Sequence, residues 1–200
     1  MSVIRAFIAI ELPVEVQQRL DQVMRQLRQR LQALPGNAVR WALAENIHLT
    51  LKFLGDVSLS NLVLLKEMLL AEVKEQPPFE FSLGGLGAFP SVSRPRVVWV
   101  GIQAPPEMHA LQSGIEIIME KLGYTREERP FSPHLTLGRV SRNVTNLEAR
   151  LIGEALQATK VGFLGVVSVQ DVRLFRSDLK PSGSVYTSLL SAPLSAGAKL

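Results

Sequence analysis

The tetrapeptide His-Leu-Thr-Leu occurs twice, at 48–51 within "ENIHLTLKFLG" and at 134–137 within "FSPHLTLGRV". Both runs are rich in strand-forming residues. Side chains on a strand alternate faces, so His48, Thr50 and Lys52 are expected on one face and Leu49, Leu51 and Phe53 on the other. The second copy sets His134 and Thr136 opposite Leu135 and Leu137 in the same way. Each copy lies between stretches of helical periodicity, which points to an internal duplication: two similar lobes facing each other, with two His/Thr pairs lining one cleft.

The rest of the chain fits this arrangement. "RAFIAIEL" reads as a strand buried on both faces. Val16, Leu20, Val23, Met24, Leu27 and Leu31 mark one face of a helix closed by Pro35 and Gly36. Leu62, Leu65, Leu69 and Val73 mark a second, with Ser58 or Ser60 as its cap and Pro77 and Pro78 beyond its end. A third runs from Pro105 and Pro106 through Met108, Leu111, Ile115, Ile118 and Leu122, and Thr145 and Glu148 have capping-box spacing for a fourth. Strands are expected at 39–42, at 79–89 and 96–102 around the turn "FPSVSRP", and at 161–170, 172–175 and 185–190. Neighbouring strands this close in sequence require hairpins, so the fold class is α+β with antiparallel sheets, a doubly wound parallel sheet being the alternative. "GGLGAFP" leads into a proline turn rather than a helix, so it is no phosphate loop. Residues 1–200 are expected to form a single bilobal domain whose last ten, 191–200, are a loose tail.

Composition narrows the chemistry. The chain has no cysteine, which removes thiolate catalysis and Cys-based zinc sites and fits a reducing, cytoplasmic compartment. No run reaches the roughly 18 apolar residues of a membrane span, so no membrane partner is expected. The net charge of +4 favours an anionic partner without the Lys/Arg blocks of a non-specific nucleic-acid binder.

Two of the three histidines occupy the repeated motif, and the third, His109, sits in a helix and is assigned no role. Imidazoles titrate near neutrality, so a facing pair can hold opposite protonation states, one taking a proton from water and the other giving one to a leaving oxygen. Cleavage of a phosphodiester needs both at once. The hydroxyls of Thr50 and Thr136 are placed to donate to non-bridging phosphate oxygens, where charge develops. Metal catalysis is the chemical rival. Two histidines with no carboxylate at ligand spacing make an incomplete set, although Asp56 is a distant candidate, so no metal and no cofactor are expected.

These motifs, with "RAFIAIELP", "VRWALAENIHLTLKFLGDV", "RPRVVWVGI", "RPFSPHLTLGRV" and "LFRSDLKPSGSVYTSL", resemble the two-histidine phosphoesterase superfamily. Within it the chain is most similar to the bacterial and archaeal RNA 2′,3′-cyclic phosphodiesterases, also called 2′-5′ RNA ligases. The resemblance implies a bilobal α+β fold in which two antiparallel sheets line a central groove with helices packed outside. It implies metal-independent opening of a 2′,3′-cyclic phosphate to a 2′-phosphomonoester, on RNA ends or nucleosides, by a protein expected to be a monomer. His48 would be the proton donor, His134 the proton acceptor, and Thr50 and Thr136 phosphate contacts. Family members often carry an arginine five residues after the second histidine, here Arg139. Strict alternation turns it away from His134 unless Gly138 permits a bend or bulge. Phe7, Trp41, Trp99 and Tyr186 are candidate base-stacking surfaces and Arg94 and Arg96 candidate backbone contacts. RNA 2′-5′ end-joining as the physiological direction and RNA-end binding without turnover are the alternative functions.

Overall fold

The computed structural model describes residues 2–180 and 183–195. Strands β1 (Val3–Glu11), β3 (His48–Ser58), β8 (Asp171–Lys180) and β9 (Gly183–Pro193) form one sheet in the order β3-β1-β8-β9. Strands β2 (Val39–Trp41), β4 (Phe79–Ser91), β5 (Arg94–Gln103), β6 (His134–Val140) and β7 (Phe163–Val169) form the other, in the order β2-β6-β5-β4-β7. Every pairing is antiparallel, which answers the expected class and removes the parallel alternative.

Four helices cover the backs of the sheets: α1 (Val14–Arg30), α2 (Leu62–Val73), α3 (Pro106–Lys121) and α4 (Asn146–Ala158). Helix α1 buries Val16, Leu20, Val23, Met24 and Leu27, the face its periodicity marks. Helix α4 begins with the capping box: the Thr145 hydroxyl accepts from the Glu148 amide while the Glu148 carboxylate accepts from the Thr145 amide. Helix α2 departs from expectation. A single 3₁₀ turn, Leu59–Asn61, leads into it, and the hydroxyls of Ser58 and Ser60 bond each other instead of capping it.

The element order β1-α1-β3-α2 recurs as β5-α3-β6-α4, one copy of the His motif in each half. The helix after the first strand of each half crosses over: α1 packs on β7 and α4 of the second sheet, and α3 packs on β3 and α2 of the first. One continuous apolar core therefore joins both halves. The expected loose tail is corrected for residues 191–195. Strand β9 continues to Pro193, paired with Asp171, and Ala192 and Leu194 are buried in the core because the β8–β9 ladder carries them there; 196–200 lie outside the described residues.

Candidate active site

The two motif strands are built alike. On β3, Glu11 pairs with His48, Ile10 with Leu49 and Ala9 with Thr50, and then Ile8 pairs with Lys52, so Leu51 is an extra residue. On β6, Gly101 pairs with His134, Val100 with Leu135 and Trp99 with Thr136, and then Val98 pairs with Gly138, so Leu137 is extra. A bulge thus sits three residues after each histidine. Past a bulge the alternation of faces is reset.

This reset corrects one expectation and answers another. Lys52 leaves the histidine face and points into the core, 4% exposed, while Phe53 takes its place on the groove face and is 69% exposed. On β6 the same step buries Gly138 and turns Arg139 outward, on the face of His134 and Thr136. A side chain at Gly138 would be tight: an added Cβ would lie 3.0 Å from Val39, 3.1 Å from the Arg40 carbonyl and 3.2 Å from the Trp41 ring, so β2 would have to give by a few tenths of an ångström. Arg40 of β2 pairs directly with Arg139 and is likewise exposed. Like charges opposite one another on a sheet repel, and an anion between them relieves that cost. The register that joins β2 to β6 has no local signal, so Arg40 is not legible in the sequence.

Both imidazoles are half-buried and fixed identically. His48 Nδ1 lies 2.8 Å from the Asn46 carbonyl, and His134 Nδ1 lies 2.8 Å from the Ser132 carbonyl. A carbonyl only accepts, so Nδ1 carries the proton in each ring and Nε2 is left free to exchange one. Asn46 is itself held, since its side-chain amide donates to the Ser184 carbonyl on β9.

The surroundings differ. His48 stacks on Phe7 at 4.6 Å with its edge toward Tyr186 at 5.2 Å, and burial pushes its pKa below the ordinary 6.5, partly offset by the bond to Asn46. Phe7, Ala9 and Phe175, packed with Tyr186, form an apolar cluster separate from the main core, and Phe53 adjoins Phe7. His134 has Phe89 edge-on at 4.9 Å and Trp99 tilted at 6.5 Å. Phe7, Trp99 and Tyr186 therefore pack around the two imidazoles. Trp41 does not: it pairs with Gly138 and its ring lies on that residue's buried side, with the Arg28 guanidinium 5.6 Å from its centroid. Arg96 bonds the Ser141 carbonyl, Arg94 lies exposed at the start of β5, and His109 is exposed on α3 against Phe131.

Strands β3 and β6, which carry the two motifs in different sheets, come into contact with each other. Among the described residues no three His, Cys, Asp or Glu side chains gather in a group that could hold a metal ion, and no helix is long and apolar enough to cross a membrane.

Comparison with known proteins places this arrangement. The family model described as LigT-like phosphoesterase matches the chain twice, over residues 10–99 and 100–186, each match holding one His motif. The RNA 2′,3′-cyclic phosphodiesterase of Methanothermobacter thermautotrophicus is 38% identical over 93% of this chain and 96% of its own length. The Escherichia coli protein of that name is 32% identical over 92% and 93%. Among solved structures, a Thermus thermophilus protein superposes with a TM-score of 0.78 at 27% identity, covering 96% of this chain and 99% of its own. Escherichia coli LigT complexed with 3′-AMP superposes with a TM-score of 0.72 at 29% identity, with the same coverage. With both halves matched and relatives aligned over nearly their full lengths, the chain belongs to the LigT-like phosphoesterase family.

Proposed function

We propose that the protein hydrolyses 2′,3′-cyclic phosphates of RNA ends or nucleosides to 2′-phosphomonoesters, without a metal, using His48 and His134 as the proton-transfer pair. One observation carries this reading: two imidazoles on adjoining strands, each with Nδ1 tied to the carbonyl two residues back and Nε2 free. The names of the relatives and the nucleotide bound to Escherichia coli LigT support the substrate class.

In the reaction, Nε2 of His134 takes a proton from water as its oxygen attacks phosphorus. The P–O3′ bond breaks, and protonated Nε2 of His48 gives its proton to the departing 3′ oxygen. The products are a 2′-phosphate and a free 3′-hydroxyl, and the pair is left with its protonation exchanged until solvent resets it. The low pKa of His48 makes its cation a ready donor while reducing the protonated fraction at neutral pH. Thr50 and Thr136 donate hydroxyls to the non-bridging oxygens, Arg139 and Arg40 draw in the anion, and Phe53 offers an open face to a nucleobase.

The test is product analysis on cytidine 2′,3′-cyclic phosphate with EDTA present. The 2′-monophosphate is expected, with roughly 10²- to 10⁴-fold less turnover for His48→Ala and for His134→Ala. Near-wild-type turnover in either variant removes that histidine from the mechanism. Accumulation of 2′-5′-joined product from RNA halves at cellular concentrations would instead make end-joining the physiological direction.

A further inference from the structure

We propose that the buried Lys52–Glu116 ion pair is a positioning clamp for His134, tying the strand of the first motif to the connection that delivers the second. Lys52 and Glu116 are each 4% exposed, and Lys52 Nζ lies 2.6 Å from Glu116 Oε2. The bulge at Leu51 puts the ammonium there. Lys52 also donates to the Thr125 carbonyl at 3.0 Å, and Glu116 Oε2 accepts from the Glu127 amide at 3.3 Å. Gln112 bonds the other carboxylate oxygen at 3.3 Å.

Thr125 and Glu127 belong to the connection between α3 and β6, which has no helix or strand of its own. Its backbone groups find no ladder, and the ion pair supplies a donor and an acceptor in its place. The same connection includes Ser132, two residues before His134, whose carbonyl accepts the Nδ1 proton of that histidine. The chain thus runs from Lys52, four residues after His48, through Glu116 to Thr125 and Glu127 and on to the group that orients the opposite imidazole.

The ion pair by itself is a weak source of stability. Replacing a buried ion pair by apolar side chains of similar volume is often neutral or stabilising, whereas apolar side chains cannot hydrogen-bond a backbone. The function served is orientation, and a small displacement of a reacting group is costly to rate.

The experiment compares wild type with the double variant Lys52→Met/Glu116→Met by thermal melting, by ¹⁵N NMR of the histidine rings, and by kinetics on cytidine 2′,3′-cyclic phosphate. We expect cooperative melting to persist, the His134 ring to lose its fixed Nδ1–H tautomer while His48 keeps its own, and kcat to fall roughly 10- to 100-fold with little change in KM. A folded variant with a wild-type His134 spectrum and kcat overturns the proposal, as does an equal disturbance of both histidines. If the variant does not fold, amide exchange in the wild type decides: Glu127 protected like a strand amide supports the clamp, and exchange at the free-chain rate refutes it. The kinetic arm rests on the function proposed above. A wild type inert toward cyclic phosphate would sink that function while the His134 spectrum and the Glu127 amide still judge the clamp.

Discussion

At the scale of single residues, the site is a contrast between two identically tethered imidazoles in different surroundings. Burial against Phe7 and Tyr186 favours the neutral form of His48 in the folded state. The unfolded chain then binds that proton more tightly than the folded one. Stability from this group is therefore complete above 6.5 and is lost as pH falls from 6.5 through the lowered folded value. Urea unfolding across that interval should show the slope in the wild type and lose it in His48→Gln. Under the proposed mechanism the same group sets one limb of a bell-shaped rate profile, below 6.5. Tyr186→Ala should move that limb toward 6.5 by opening the ring to water, and an unmoved limb would show that burial is not its cause. The shared face of His48 and Thr50, and of His134 and Thr136, was legible from strand alternation, and the repeat drew attention to it. Lys52 was misplaced because alternation was carried through a bulge that nothing in Leu-Thr-Leu-Lys announces.

At the scale of elements, those bulges decide what the groove displays. Each inserts one leucine after the threonine, so the residue five positions past the histidine regains the histidine's face: Phe53 in one half, Arg139 in the other. The re-aiming of Arg139 was expected at Gly138, but the extra residue is Leu137, and β3 makes the same bulge with Lys52 in the equivalent place. The bulge itself therefore does not call for glycine; the close approach of β2 is what a side chain at 138 would meet. Gly138→Ala should cost about 1–3 kcal/mol by overpacking against Val39 and Trp41. At the second irregularity of β3, Gly55 has φ +68° with open space around it, so Gly55→Ala should cost roughly 1–2 kcal/mol through the backbone alone. Chemical denaturation of the two variants measures both, and a neutral Gly138→Ala would mean that β2 yields freely. Helix faces were readable from spacing, and so was the capping box of α4. The pairing of Arg40 with Arg139 was not, because register between distant strands is set by the assembled sheet.

At the scale of the whole molecule, two similar halves exchange helices across one core, which holds the motif strands against each other. The duplication was visible in the repeated tetrapeptide, but the exchange was not, since a connection does not record which sheet its helix will cover. Arg40 and Arg139 set two positive charges side by side on paired strands of a chain whose net charge is +4. Raising salt from about 50 to 200 mM should weaken binding of a short RNA carrying a 2′-phosphate, and Arg40→Ala should flatten that dependence. An unchanged slope would place Arg40 away from the bound anion. The central claim, that both imidazoles meet one phosphate, is tested most directly by ¹⁵N NMR of the histidine rings during titration with 2′-AMP. The account predicts that the Nε2 signals of His48 and His134 move together and saturate with a single Kd at one ligand per chain. Movement of only one ring, or of the two with separate affinities, would contradict it.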